Sequence, residues 1–423
     1  MKLLIALLVA HSIATVVAAA EPSFADFDRR ARAGEKLNVV FFGASLTWGA
    51  NATDSQLTSF RGEIARRLEG EYPQAHFKFW DAAIGGSGSQ LGVFRLERDV
   101  LRRNPDLVFL DFSANDDINS GDTETLASYE AIVRRLVVDA YVPVVQVIFP
   151  FKWDVQVGKL DAMKRRDAHL AISAAYRTPV GDAIALAQQR VAAGQTTLDE
   201  LWPDDGVHPG DRGYQLFADA AWDALRQAIK SETVCQAPDR MLFADSYVTS
   251  ARVRLSQLRA LPVGWSVSRP HVVAAYFDMV MSRWLDDEVV ATAPKNTASG
   301  GATKAVEPLT VRFVGTMVML FGESTIKSVR YKAMLDGELV KHKSPDGKQS
   351  LEEFDAGQLG KTLKGNCHLV QVIAVGLKTG VEHTLEIEPL FTGTADEEMR
   401  LESVCVAGPN AGVLLDSSPT KSK

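Results

Sequence analysis

The chain has 423 residues, 46% of them apolar and 23% charged, with a net charge of −7 and a pI near 5.7. That length exceeds one ordinary domain, so two packed domains are expected, and the composition excludes a disordered chain. An acidic protein gains no counterion-release energy on a phosphate backbone, which argues against nucleic acid as a partner.

Residues 1–20 read as a secretory signal peptide. Lys2 supplies the positive start, residues 3–10 the apolar segment, and Ala18, Ala19 and Ala20 the small residues before Glu21. His11 and Ser12 interrupt the apolar run and leave it short of the roughly 20 residues a spanning helix needs. No membrane span is therefore expected after signal removal, and the location is read as secreted or periplasmic. Cys235, Cys367 and Cys405 form no CxxC pair. They read as small buried apolar residues, with a disulfide between two of them left open.

From about residue 22 to 232, strand-like and helix-like patterns alternate. Strands are expected at 37–45, 77–84, 106–112, 142–149 and 179–185, and helices at 56–68, 93–103, 123–140, 159–176 and 211–229. Near-continuous apolar strands alternating with amphipathic helices predict a parallel sheet of about five strands in a three-layer α/β/α domain. The expected bounds of this domain are 21–234.

From about residue 240, alternating patterns replace helical ones. Strands are expected at 309–321, 328–335, 368–377, 384–390 and 400–406, with Asp336-Gly337 marking a hairpin. A Gly-, Ser- and Thr-rich connector covers 296–306. A β-sandwich domain at 240–412 follows, with a flexible tail at 413–423.

Four segments of the first domain fall just beyond expected strand ends, where an α/β sheet places its ligands. Ser45 ends LNVVFFGAS, Gly85 and Gly86 lie in DAAIGGSGS, Asn115 lies in DFSANDD, and Asp205 and His208 lie in WPDDGVHPGDRGY. A serine hydroxyl needs a base beside it to act as a nucleophile, and an imidazole titrating near 6.5 suits that task. A carboxylate on the second ring nitrogen fixes the tautomer and stabilises the imidazolium. Asp205, three residues before His208, fits that place, and Asp204 is the competitor, read as a cap or surface residue. The oxyanion of the attacked carbonyl needs donors already aimed at it. The candidates are the Ser45 N–H, the Gly86 N–H and the Asn115 side-chain amide. Asp116 and Asp117 read as solvated loop acids, His169 receives no role, and Trp48 and Trp153 read either as cleft-lining platforms or as packing residues.

These residues together resemble the SGNH hydrolase, or GDSL esterase/lipase, superfamily. GASLTWG stands where the family has GDSxTxG, AAIGGSGS resembles its second block, SAND its GxND block, and DGVHP its DxxHP block. The resemblance covers residues 35–232 and implies a flavodoxin-like fold. It also implies a Ser45–His208–Asp205 triad and an oxyanion hole of Ser45, Gly86 and Asn115, with neither metal nor organic cofactor. Ala44 departs from the Asp of GDS, Ser113 from the Gly of GxND, and Asp81 stands where Asn is common. Ala44 makes the turn holding Ser45 the geometry to check first.

The expected activity is hydrolysis of carboxylic esters through an acyl-enzyme. A signal peptide and an added β-rich domain, jelly-roll-like by analogy, resemble carbohydrate esterases, so O-acetylated carbohydrate is the first substrate choice. A lipase, lysophospholipase or short-chain arylesterase is the alternative. A non-catalytic carbohydrate-binding or adhesion protein is the reading from another class. The oligomeric state is not legible, nor is whether the β-rich domain binds carbohydrate, shapes the cleft or mediates dimerisation.

Overall fold

The computed structural model describes residues 21–155, 160–271, 285–293, 305–344, 347–394 and 396–415. The signal segment expected at 1–20, most of the 296–306 connector and residues 416–423 of the expected tail lie outside the described residues.

The first domain is built on β1 (Lys36–Gly43), β2 (His76–Ala83), β3 (Leu107–Leu110), β4 (Val144–Ile148) and β5 (Val180–Asp182). All pair in parallel, in the order β2-β1-β3-β4-β5. β3 and β4 are buried at every position, which is why they read as unbroken apolar runs. The helices are α1 (Phe24–Arg32), α2 (Ser45–Trp48), α3 (Phe60–Glu71), α4 (Ser89–Asp99), α5 (Thr123–Val138), α6 (Lys164–Tyr176), α7 (Ala183–Ala192), α8 (Leu198–Leu201) and α9 (Asp211–Lys230). The strand order reverses between β1 and β3, and a sheet of this kind binds its ligand in the crevice at that switch.

Local chemistry moves several boundaries. α3 begins at Phe60, later than the apolar spacing suggests, because the Ser59 hydroxyl caps it by accepting from the Gly62 N–H at 3.2 Å. Leu57 is consequently left outside the helix, 66% exposed. The strand expected at 179–185 stops at Asp182, whose carboxylate accepts from Ala185 N–H at 3.0 Å and starts α7.

Among the described residues, the second half folds as two six-stranded antiparallel sheets and a separate two-stranded one. Its strands are β6 (Ser250–Arg254), β7 (Trp265–Ser268), β8 (Glu288–Thr292), β9 (Leu309–Val314), β10 (Met317–Ser324), β11 (Arg330–Leu335), β12 (Glu338–Leu339), β13 (His342–Lys343), β14 (Ser350–Leu351), β15 (Phe354–Asp355), β16 (Cys367–Val375), β17 (Glu382–Leu390), β18 (Glu398–Ala407) and β19 (Gly412–Leu414), with one short helix, α10 (Gln358–Leu363). One sheet runs β16-β10-β18-β8-β7 and the other β12-β11-β17-β9-β19. Leu335 pairs with Glu338 across Asp336-Gly337, both with positive φ, as a two-residue hairpin turn requires. The single strand expected at 309–321 is two, broken at Gly315 and Thr316, and the halves lie in different sheets. Val413 and Leu414, expected to begin the flexible tail, instead pair with Phe313 and Arg312, which keeps that sheet edge covered.

β10 and β18, at the centre of their sheet, are buried at every position. Val318, Leu320, Val404 and Val406 point into the sandwich core. Met317, Met319, Phe321, Cys405 and Ala407 point the other way and join the core of the first domain. Arg98 on α4 adds an ion pair to Asp286 at 3.0 Å. The two halves thus share one apolar core. The three cysteines are buried and unjoined.

Candidate active site

β1 ends at Gly43, where a Cβ would stand 2.1 Å from Thr47 Oγ1 and 2.5 Å from the Asp111 carbonyl oxygen. Only glycine fits, and the chain turns there to deliver Ser45 as the first residue of α2. Ala44 sits at the helix N-cap in extended conformation and supplies no side-chain cap, an omission that typically costs about 1 kcal/mol. The turn is held from its other end. The buried Arg61 guanidinium donates from Nε to Thr47 O at 3.1 Å, and from Nη2 to Trp48 O at 2.9 Å and Ser55 O at 3.3 Å. The Thr47 and Trp48 carbonyls are ones the end of α2 leaves without intrahelical partners. Asp81 pairs with Arg61 at 3.6 Å and accepts from Ala83 N–H at 3.0 Å. Gly49 closes α2 with φ of 99°, and Tyr214 Oη donates to Ala50 O at 2.6 Å.

His208 Nε2 lies 3.0 Å from Ser45 Oγ. On the far side of the ring, Nδ1 lies 3.4 Å from Asp205 Oδ2, a long contact of the kind resting sites show. Asp205 Oδ1 accepts from the N–H groups of His208 and Val207 at 2.6 and 2.7 Å, and Oδ2 accepts from Asn51 Nδ2 at 3.0 Å. Burial pulls the Asp205 carboxyl upward, but these donors outweigh it and hold it below its usual value. Burial lowers the His208 imidazole below 6.5, and the Asp205 charge opposes that only in part. The ring is thus neutral at pH 7, as a proton acceptor must be. It is Asp205, not Asp204, that faces His208.

Gly86 adopts φ of +71°, a conformation that favours glycine. Gly86 and Asn115 line a single cavity of about 340 Å³. The loops carrying them are joined by Asp116, whose Oδ1 accepts from Ser89 N–H, at the start of α4, at 3.0 Å. A Cβ on Gly88 would come within 2.3 Å of that oxygen. Asp116 is therefore no solvated loop acid. It is buried, and burial pushes its carboxyl up to about 6 despite the Ser89 bonds and the charge of Arg165. His169 is buried and stacked on Tyr129, with centroids 3.8 Å apart.

The second domain reaches the site. Trp48 and Ala50, beside Ser45, pack with Cys367 at the start of β16 and Leu359 on α10. A Cβ on Gly86 would lie 3.8 Å from His368 Cε1, so the imidazole stands at contact distance from this turn. Of the two tryptophans read from sequence, Trp48 serves this packing. Trp153 remains 46% exposed beside the histidine loop, where a Cβ on Gly206 would meet its ring at 2.7 Å. Arg61, Asn51 and His368 had no motif to mark them, while Asp116, the last residue of the SAND block, reads wrongly from sequence as a solvated acid. Among the described residues no group of three or more His, Cys, Asp or Glu is placed to hold a metal ion, and no helix is long and apolar enough to cross a membrane.

A doubly wound sheet with a serine, an imidazole and a carboxylate gathered at its switch point defines an ester hydrolase of the SGNH type. Residues 41–216 match the GDSL-like Lipase/Acylhydrolase family. The two-domain architecture is similar to the crystal structure of a two-domain esterase (CEX) active on acetylated mannans, with 22% identity, 92% of this chain and 95% of that one covered, and a TM-score of 0.64. The same esterase co-crystallised with mannopentaose gives a TM-score of 0.67 at the same identity and coverage. No curated protein matches the chain.

Proposed function

We propose that this protein is a secreted or periplasmic serine esterase that removes O-acetyl groups from carbohydrate. The 3.0 Å approach of His208 Nε2 to Ser45 Oγ carries the reading. Ser45 Oγ attacks the acyl carbon while its proton passes to His208 Nε2, and Asp205 stabilises the imidazolium. The N–H groups of Ser45 and Gly86 and the Asn115 amide receive the oxyanion, each donor worth about 3 kcal/mol of transition-state stabilisation. Collapse expels the alcohol oxygen, which takes the proton back from His208. Water, deprotonated by the same imidazole, then releases the acyl group from Ser45. The choice of acetylated carbohydrate is supported by the likeness of both domains to the acetylmannan-active esterase, and by an exposed Trp153 beside the histidine loop.

The test is an acetate-release screen across acetylated polysaccharides, with Ser45→Ala as control and p-nitrophenyl esters of increasing chain length in parallel. Acetate release that vanishes in Ser45→Ala, with acetate preferred over octanoate, is the expected result. A preference for octanoate would favour a lipase. Residual hydrolysis unchanged in Ser45→Ala would remove the nucleophile assignment and favour a carbohydrate-binding protein.

A further inference from the structure

On the second-domain side of Gly86 lies a cavity of about 370 Å³. Its floor is the Gly86 turn, and its walls are α10 and the first half of β16. Gln358, Thr362, His368 and Gln371 line it together with Leu359. Its one carboxylate, Asp355, is already engaged by Gly357 N–H at 2.8 Å and Lys361 Nζ at 2.9 Å. The remaining polar side chains are two amides, two hydroxyls and an imidazole; Ser324 Oγ accepts from Gly360 N–H, Thr362 Oγ1 donates to Gln358 O and Gln371 Nε2 to Val372 O. Such groups match the hydroxyls of a neutral polyol better than an acyl chain or an anion.

The walls do not swing freely. β16 pairs with β10 along its length, and β10 is locked into the core shared with the first domain. Leu359 is seated against the cluster of Trp48, Ala50 and Cys367. The cavity therefore has fixed walls, and it adjoins the candidate site at Gly86.

We infer that this cavity is a sugar subsite. It takes a ring adjoining the acylated one, with His368 and Gln358 hydrogen-bonding its hydroxyls. The second domain then completes the active site instead of acting as a remote anchor. The inference rests on the carbohydrate reading above and specifies it.

The test compares full-length wild type with Gln358→Ala, Thr362→Trp and His368→Ala. Each is assayed on acetylated manno-oligosaccharides and on p-nitrophenyl acetate, which is too small to span both places. Gln358 and Thr362 are exposed on α10, so their variants keep the fold even if His368→Ala does not. The ratio of kcat/KM for oligosaccharide to that for p-nitrophenyl acetate is expected to fall at least tenfold in Thr362→Trp, through KM, and severalfold in Gln358→Ala. A ratio within twofold of wild type in both α10 variants overturns the subsite while leaving the esterase reading intact. A wild type that cleaves p-nitrophenyl acetate but no acetylated oligosaccharide overturns the carbohydrate reading and the subsite with it.

Discussion

Arg61 Nη2 donates to the carbonyl oxygen of Trp48 at 2.9 Å, and this bond closes the far end of the helix that Ser45 begins. The same guanidinium pairs with Asp81. Two departures from the family pattern are thereby related: Ala44 leaves the turn uncapped at its N-terminus, and Asp81 anchors the arginine that caps the C-terminus. Lysine cannot reproduce the fork of donors. Arg61→Lys is expected to lower kcat about 10- to 100-fold, the scale of an ångström-level misplacement of a reacting group, with KM within about threefold. Inactivation by a sulfonyl fluoride should slow in proportion. A lower melting temperature with unchanged kcat would show that Arg61 serves the fold alone.

The pH profile of kcat/KM reports the free enzyme's base. Burial depresses the His208 imidazole, so the neutral ring persists below pH 6.5 and activity is lost only as pH falls through the lowered value. The acid limb should therefore have its midpoint below 6.5. Asp205→Asn should reduce kcat by about 10³- to 10⁴-fold by favouring the wrong tautomer. An acid limb centred above 6.5 would contradict the burial of the ring.

Asp111, at the end of β3, is fully buried, and desolvation raises its carboxyl to about 7 although both the hydroxyl and N–H of Ser113 donate to it. The unfolded chain releases this proton near pH 3.9. Between those values the folded state holds the proton and the unfolded state does not, so stability falls as pH rises and levels off above about 7. Asp111→Asn should remove that component. Measured by urea unfolding at pH 5 and 8, the loss of stability on going to pH 8 should be smaller in the variant by roughly 1 to 3 kcal/mol. Identical losses in both proteins would contradict a buried, proton-holding carboxyl.

Met317, Met319 and Phe321 bury one face of β10 in the core of the first domain. Deleting residues 240–423 would expose the apolar surface they cover. The truncated chain is expected to aggregate or bind a hydrophobic dye, losing activity on p-nitrophenyl acetate and on polymer alike. Phe321→Ala in the full chain should cost about 3 to 5 kcal/mol, read by urea denaturation. A soluble, fully active fragment 21–239 would refute the shared core.

What the sequence determined by itself was local. Unbroken apolar runs marked β1, β3 and β4, since strands buried on both faces tolerate little else, and the four blocks at their ends brought Ser45, Gly86, Asn115, Asp205 and His208 into view. Gly43 and Gly86 follow from backbone geometry that excludes a side chain. Tertiary structure decided what the chain brings together from a distance. Arg61 reaches the α2 carbonyls and Asn51 reaches Asp205, although neither carries a periodic or motif signal, and Asp116 joins the loops of Gly86 and Asn115, which its place in the SAND block does not show. β10 opens on five consecutive apolar residues, Met317 to Phe321, a run that fits burial on both faces. Only packing reveals that one of those faces is covered by the first domain, because pattern records which residues are apolar and not what covers them. His368 meets Gly86 across 282 positions of chain, and a contact at that separation is set by how two cores merge.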